Sequence, residues 1–315
     1  MKSRIEYLDY AKGILVLTVI IGHIYQDTFI SKFIYNFHMM AFFFISGIQF
    51  NYSATMKKPM HQIILSRICS MMIPFCFFEA WGCVTYIIRF GPHQNLNGFV
   101  YNTLSLNFNN GVLWFLFTLF VSELLFMALM KMPLRKKVVL GIAVLSLALS
   151  LLLPINNNYT DYLTRTLRAL FFIICGYYSF GTVEYSNRIV AVGCFLISLG
   201  LTWWNGCIGF TDVAVKNMLL FLVGSFAGIY MIIWLAKRIR SKALLYIGQN
   251  TLAIFATHNC YYILFGELLR VADFRCISIG KGLLVFCLVA IAEIPTVYLL
   301  NKYFPVFIGK YRLKL

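Results

Sequence analysis

The sequence predicts an all-α integral membrane protein, a bundle of about ten transmembrane helices with both termini cytoplasmic. Two compositional facts and one pattern support this. Of 315 residues, 61% are apolar and only 12% charged, about half the charged share of an ordinary soluble domain. The apolar residues gather in runs of about 17 to 25, long enough to cross a hydrocarbon core, and these runs recur from one end of the chain to the other. No Gly/Ser linker, internal repeat or low-complexity stretch divides them, so residues 1–315 read as one transmembrane domain. The same composition excludes disordered, collagenous and disulfide-scaffold classes.

The first run, 10–30, follows Lys2 and Arg4 and superficially resembles a signal peptide. Asp9 and Lys12 intrude and no small-residue cleavage site follows, so it reads as a retained span. The second, 33–50, is dense in phenylalanine. The third, 68–88, is entered through a polar stretch at 51–67, and the fourth, 111–130, follows an Asn- and Gly-rich stretch at 89–110. Neither stretch is long enough to fold alone. Runs at 138–155, 167–182, 189–204, 218–236, 251–269 and 282–300 complete the ten, the sixth and seventh being short.

Ten spans put both termini on one side, and the distribution of cations tests which side that is. Eighteen of the 27 lysines and arginines fall on the terminal side, including the clusters at 135–137 and 237–242. Eight fall opposite, among them Arg165 and Arg168. The positive-inside rule then makes both ends cytoplasmic, and the net charge of +16 reads as topology rather than as a nucleic-acid surface. Nine cysteines lie mostly within apolar runs, Cys69, Cys76 and Cys83 at heptad spacing and Cys207 among the rest. None makes a CxxC pair or a Cys/His metal spacing, so they read as packing residues and no metal is expected.

An ionisable group within hydrocarbon costs about 2.5 to 3.5 kcal/mol on insertion scales and so marks a role. Ten such residues occur: Asp9, Lys12, His23, Asp27, His38, Glu79, Glu123, His258, Glu267 and Glu293. Lys12 and His23 are eleven residues apart, which is three turns plus about 20° and about 16 Å of rise, so they share a helix face. That spacing suits the two ends of an extended ligand. Asp9, one turn from Lys12, can pair with it and also suits a helix start. Asp27 lies four residues past His23 and is placed to orient the imidazole if the helix continues. His23 and His38 are equidistant from the middle of the connecting turn, so an antiparallel hairpin sets two imidazoles at one depth, a pairing suited to proton transfer near neutral pH. Structural readings stand beside these: snorkelling for Lys12, a packing hydrogen bond for His23, and a bond to Asn36 for His38.

The stretches RIEYLDYAKGILVLTVIIGH, FHMMAFFFISG, SRICSMMIPF, LWFL and LLYIGQNTLAIFATHN occur in that order. Together they resemble the acyltransferase-3 family of integral membrane O-acyltransferases, closest to its fucose-acetylase-like branch. The resemblance runs from residue 4 to about 259, and its first two stretches are the specific ones. In that family a basic residue and a histidine with ten positions between them mark the first span, and Lys12 and His23 reproduce the pattern. Relatives often carry two arginines spaced by two residues ahead of the third-span proline. Here Arg67 is followed by Ser70 before Pro74.

The resemblance implies a bacterial cytoplasmic-membrane enzyme that moves an acyl group, most often acetyl, from acetyl-CoA to a hydroxyl of a cell-envelope polysaccharide or its lipid-linked precursor. It makes His23 the catalytic residue and Lys12 its basic partner. Acyl-CoA is then a co-substrate, and no bound cofactor is expected. Acyl transfer needs a base for the acceptor hydroxyl and donors for the developing oxyanion. Beside His23, the residues suited to this are His38, Asp27, Ser46 and Trp114. Lys12, Asp9 and Arg67 suit the acyl donor, with Lys57, Lys58 and the 237–242 cluster as further cations for coenzyme phosphates. Glu79, His258, Glu123 and Glu293 suit a polar passage for the acceptor, or a protonated interhelical network. Direct transfer is favoured over an acyl-enzyme because no serine or cysteine has an evident neighbouring base, and an acyl-histidine is the alternative. A transporter or exporter with intramembrane His and Glu is the rival reading, although inverted repeats and paired broken helices are not apparent in the sequence. A non-catalytic envelope subunit that binds lipid or glycan is a third.

Overall fold

In this computed structural model, residues 5–90, 96–180, 187–205, 217–271 and 273–310 are described. Among them there are helices and turns and no strand. The α-helices are, in order, α1 (Glu6–Ile24), α2 (Phe29–Tyr35), α3 (His38–Gln49), α4 (Tyr52–Met56), α5 (Met60–Arg67), α6 (Ile73–Phe90), α7 (Leu96–Leu104) and α8 (Trp114–Lys131). They continue with α9 (Lys136–Leu152), α10 (Asn158–Tyr178), α11 (Arg188–Asn205), α12 (Met218–Ala236), α13 (Lys242–Gln249), α14 (Thr251–Leu268) and α15 (Ile279–Tyr303).

Among the described residues, six helical stretches are long and apolar enough to cross a membrane: α1, Phe29–Gln49, Met60–Cys83, Gly111–Lys131, α12 and α15. This establishes a multi-pass membrane protein. The other four expected spans are helical as α9, α10, α11 and α14. Large apolar side chains such as Leu152, Ile189, Trp203 and Trp204 are strongly exposed, as lipid-facing residues are.

The boundaries differ from the expectation where polar residues sit inside helices. The first helix stops at Ile24, well short of residue 30. The second run is two helices, broken at Asn36 and Phe37. The polar stretch at 51–67 is largely helical, as α4 and α5, and α7 lies within the stretch read as an outer loop. Helix α10 begins at Asn158 rather than near 167, which takes Arg165 and Arg168 out of a loop and into the helix. A hydropathy reading breaks a run at each charge. Asp161 and Arg165, however, are one turn apart and neutralise each other at 2.5 Å, so the helix continues through them.

The third stretch contains a π-turn at Ile68–Met72. Pro74 has no N–H to give to the carbonyl of Ser70 four residues back, and the turn widens so that the Ile73 N–H reaches Ile68 O.

The chain forms two compact units, Met1–Phe50 with Phe171–Thr251, and Asn51–Leu170 with Leu252–Leu315. The first unit is packed by backbone approach at glycines, the usual device where lipid offers no hydrophobic drive between helices. A Cβ on Gly47 would lie 2.0 Å from Ile173 O, and one on Gly176 2.0 Å from Phe44 O, so α3 and the end of α10 touch main chain to main chain. Helix α13 meets α1 in the same way: a Cβ on Gly248 would lie 1.8 Å from Asp9 O, and one on Gly13 2.6 Å from Leu244 O. The second unit is packed by aromatic rings instead. Phe75, Phe108, Phe117 and Tyr162 meet at centroid distances of 4.8 to 6.1 Å.

Candidate active site

Helix α1 carries the groups that spacing placed on one face. The Lys12 ammonium lies 2.7 Å from the Asp9 carboxylate, with Asp9 buried and the Lys12 side chain 21% exposed. Asp9 therefore holds the lysine by its ammonium, and part of the side chain stays exposed. Near the start of the same helix a pocket of about 390 Å³ is lined by Glu6, Tyr7, Lys237 and Arg240. The Lys237 ammonium stands 5.0 Å over the Tyr7 ring. His23, in the last turn of α1, is half-buried.

The hairpin partner is built around the break between α2 and α3. The Thr28 hydroxyl caps α2 by accepting from the Ser31 N–H at 3.3 Å. At the break the Asn36 side-chain amide donates to the Thr202 hydroxyl of α11 at 2.9 Å, and the Ser225 hydroxyl of α12 donates to Asn36 O at 3.2 Å. Neighbouring helices thus satisfy the polar groups that a broken helix exposes within a membrane. His38 is the first residue of α3, and its Nδ1 lies 3.0 Å from Ile34 O. A carbonyl only accepts, so Nδ1 carries the proton, and in the neutral ring Nε2 keeps its lone pair.

Tyr35 links the two histidines. Its hydroxyl donates to Gly22 O at 2.9 Å, its ring covers Gly22, and the His38 ring lies 5.2 Å from it. His23 and His38 lie within electrostatic reach of one another. The geometry therefore revises two expectations. His38 in this tautomer accepts a hydrogen bond at Nε2 rather than donating one to an oxyanion, and its Nδ1 partner is Ile34 rather than Asn36. Asp27 is exposed in the turn after α1, with φ at 56°, because the helix has already ended at Ile24. It does not continue the face of His23, so the spacing argument for an orienting carboxylate fails. Ser46 is half-buried on α3, in the same unit.

The remaining expected residues belong to the second unit. Arg67 is paired with Glu123 at 3.0 Å with its side chain 32% exposed, an arrangement like that of Lys12 with Asp9. Glu79 was expected to line a passage, but its oxygens are occupied. It accepts from Asn109 N and Nδ2 at 2.7 Å each, from the Thr103 hydroxyl at 3.0 Å and from Asn110 N at 3.1 Å. Asn110 in turn donates to Ala256 O at 2.9 Å and accepts from the Asn259 amide at 3.2 Å. Glu79 therefore organises the turn ahead of α8 rather than facing a ligand.

Trp114 opens α8 half-buried, with the Arg165 guanidinium 4.8 Å from its ring. His258 is wholly buried on α14, its Nδ1 donating to Ile254 O at 3.1 Å. Beside it Thr257 donates to both oxygens of Glu293, at 2.8 and 3.0 Å. Cys207 lies outside the described residues, and among those described no group of His, Cys, Asp and Glu could hold a metal ion.

Sequence reasoning missed Tyr35, whose partner lies across the hairpin turn, and Gly248 and the asparagine pair 109–110, which act on residues far away along the chain. It also missed Arg168, although the stripe formed by Asp161, Arg165 and Arg168 at helical spacing was readable.

Comparison with known proteins agrees with the membrane architecture and adds a chemistry. The family model described as an acyltransferase domain, acyltransferase-3, matches residues 5–302. The nodulation protein NolL of Mesorhizobium japonicum is 32% identical over 129 residues, 37% of this chain. That match spans about a third of the relative's own length, 34%. No solved structure matches.

Proposed function

Because this chain belongs to the acyltransferase-3 family, we propose that it is a membrane O-acyltransferase of the bacterial cytoplasmic membrane. In this reading it carries an acetyl group from acetyl-CoA to a hydroxyl of a cell-surface polysaccharide or its lipid-linked precursor. Its topology is then ten spans with cytoplasmic termini, which sets the Lys12 end of α1 toward the coenzyme. The observation that carries the reading is the layout of α1: a partly exposed lysine whose ammonium is held by Asp9 at one end, and three turns away a half-buried imidazole adjoining a second one.

The lone pair of the His23 imidazole takes the acceptor's hydroxyl proton while the oxygen forms a bond to the thioester carbonyl carbon. The tetrahedral oxyanion then collapses, the C–S bond breaks, and the same imidazolium returns its proton to the departing thiolate. His38 holds an acceptor at Nε2 for an N–H of His23, which would fix the working tautomer as a carboxylate does elsewhere. Lys12 meets the anionic coenzyme, and Lys237 and Arg240 in the pocket at the start of α1 supply further charge. The co-substrate brings the acyl group, and no resident cofactor is required.

The test is acetyl transfer by purified protein from labelled acetyl-CoA to envelope glycan. His23→Ala is expected to lower the rate about 10³-fold, the scale of general base catalysis, without shifting the unfolding temperature. A variant that keeps more than about a tenth of the rate would overturn the role of His23.

A further inference from the structure

At one end of the second unit an apolar groove meets a surface of one charge. The groove, of about 410 Å³, is lined by Ile68, Met72, Ile73, Cys76, Phe77 and Phe307. That volume lies within the range of ligand clefts, about 300 to 1,000 Å³. It begins at the π-turn Ile68–Met72, a distortion that recurs at functional sites. The segment after α15 supplies one wall: Phe307, in the 3₁₀ turn Pro305–Ile308, stacks on Phe77 at 4.2 Å with the rings 6° from parallel. Gly309 seats that turn against the π-turn. Its φ is 70°, and a Cβ there would lie 2.4 Å from Ser70 O, so glycine is required. Cys76 is exposed, so the groove opens on the surface of Met60–Cys83, a stretch of membrane-crossing length whose surface faces hydrocarbon chains.

Around the Ile68 end the charge is one-sided. The Lys131 ammonium donates to Lys58 O at 2.6 Å, which joins the segments 51–67 and 131–137. The contact of Gly309 with Ser70 brings 302–310 to the same end. These three segments hold nine lysines and arginines and no Asp or Glu. Glu123 answers one of the cations, 3.0 Å from Arg67, whose side chain is still 32% exposed. Lys57, Lys58 and the four cations of 131–137 are exposed. Cations clustered at the ends of membrane helices attract anionic headgroups. An apolar slot that starts at a cationic rim and continues along a membrane-crossing helix matches a molecule with an anionic head and a hydrocarbon tail.

We propose that this groove holds one acyl chain of an anionic phospholipid, with the lipid phosphate at the Ile68 end among these cations. The surrounding bilayer is as good a solvent for the chain as the groove is. The headgroup charge therefore supplies the selectivity, and the groove fixes where the chain lies. The inference goes beyond the acyltransferase reading and does not depend on it.

Cys76 serves as the probe. In the full chain purified in detergent, its alkylation by N-ethylmaleimide is followed by peptide mass spectrometry, with the exposed Cys276 as internal reference. Phosphatidylglycerol added to the micelles is expected to slow the Cys76 reaction saturably, at a mole fraction about tenfold lower than phosphatidylcholine needs, while Cys276 is unaffected. Lys57→Gln combined with Lys58→Gln is expected to erase most of that preference. If this variant fails to fold, raising the ionic strength with the parent protein should erase it in the same way. Ile73→Trp, which fills the groove, should slow Cys76 without lipid and remove any further effect of phosphatidylglycerol. A Cys76 that reacts equally with and without phosphatidylglycerol, or that both lipids protect at equal mole fraction, would overturn the proposal. The readout involves no acyl transfer, so its failure leaves the transfer chemistry standing, and a lack of acetyl transfer leaves the lipid site standing.

Discussion

The two units treat their buried ionisable groups in opposite ways. In the first, Asp9 holds Lys12 while leaving it partly exposed, and His38 binds Ile34 O through Nδ1, which leaves Nε2 for the His23 N–H of the proposed mechanism. In the second, Glu79 has four donors and Glu293 has the Thr257 hydroxyl. A group whose bonds are all made within the protein is structural, and one with bonding capacity left over can meet a substrate. The contrast supports chemistry at the α1–α3 hairpin and scaffolding at Glu79 and Glu293.

Substitutions can break this contrast, and the largest expected effect lies in the scaffold. Glu79→Ala leaves the donors of Asn109, Asn110 and Thr103 without their acceptor, and should lower stability by about 3 kcal/mol, read as a fall in the unfolding midpoint. A variant as stable as the parent would show that the network carries no weight. Gly248→Ala places a methyl group against the Asp9 carbonyl and should cost about 2 kcal/mol, the scale of overpacking. Because α13 would be pushed off α1 at the residue holding Lys12, donor use should fall together with stability. Lys12→Ala should raise the apparent KM for acetyl-CoA about tenfold, the loss of one charge-assisted contact of about 1.4 kcal/mol, with Lys12→Arg close to the parent. An unchanged KM in Lys12→Ala would move donor binding elsewhere. The smallest effect is expected from Tyr35→Phe, which removes one hydrogen bond to Gly22 O, worth about 1 kcal/mol. If the hydroxyl serves to hold the two imidazoles together, the rate should drop by more than stability does.

Much of the fold was legible because hydropathy over a span-length window is a property of composition. The span expected at 218–236 coincides with α12, and the four runs outside the six membrane-length apolar helices are nonetheless helical. The errors fall where polar residues are satisfied locally. The start of α10 was hidden by the Asp161–Arg165 pair, and α13 by the charges of its flanking cluster. At the candidate site, Lys12, Asp9 and His23 were readable because helical spacing alone relates them. The role of Glu79 was not, since its donors lie 24 to 31 residues away in sequence. Asp27 shows the limit of spacing arguments, which hold only as far as the helix runs.

The sequence by itself determined that this is a multi-pass helical membrane protein and that an ammonium and an imidazole share one helix face, because both follow from residue type and a fixed period. Only the tertiary structure decided which polar groups retain unused bonding capacity. That depends on how distant segments meet, and neither composition nor periodicity contains that information. It separates His38, with a ring nitrogen left over, from Glu79, whose oxygens are occupied.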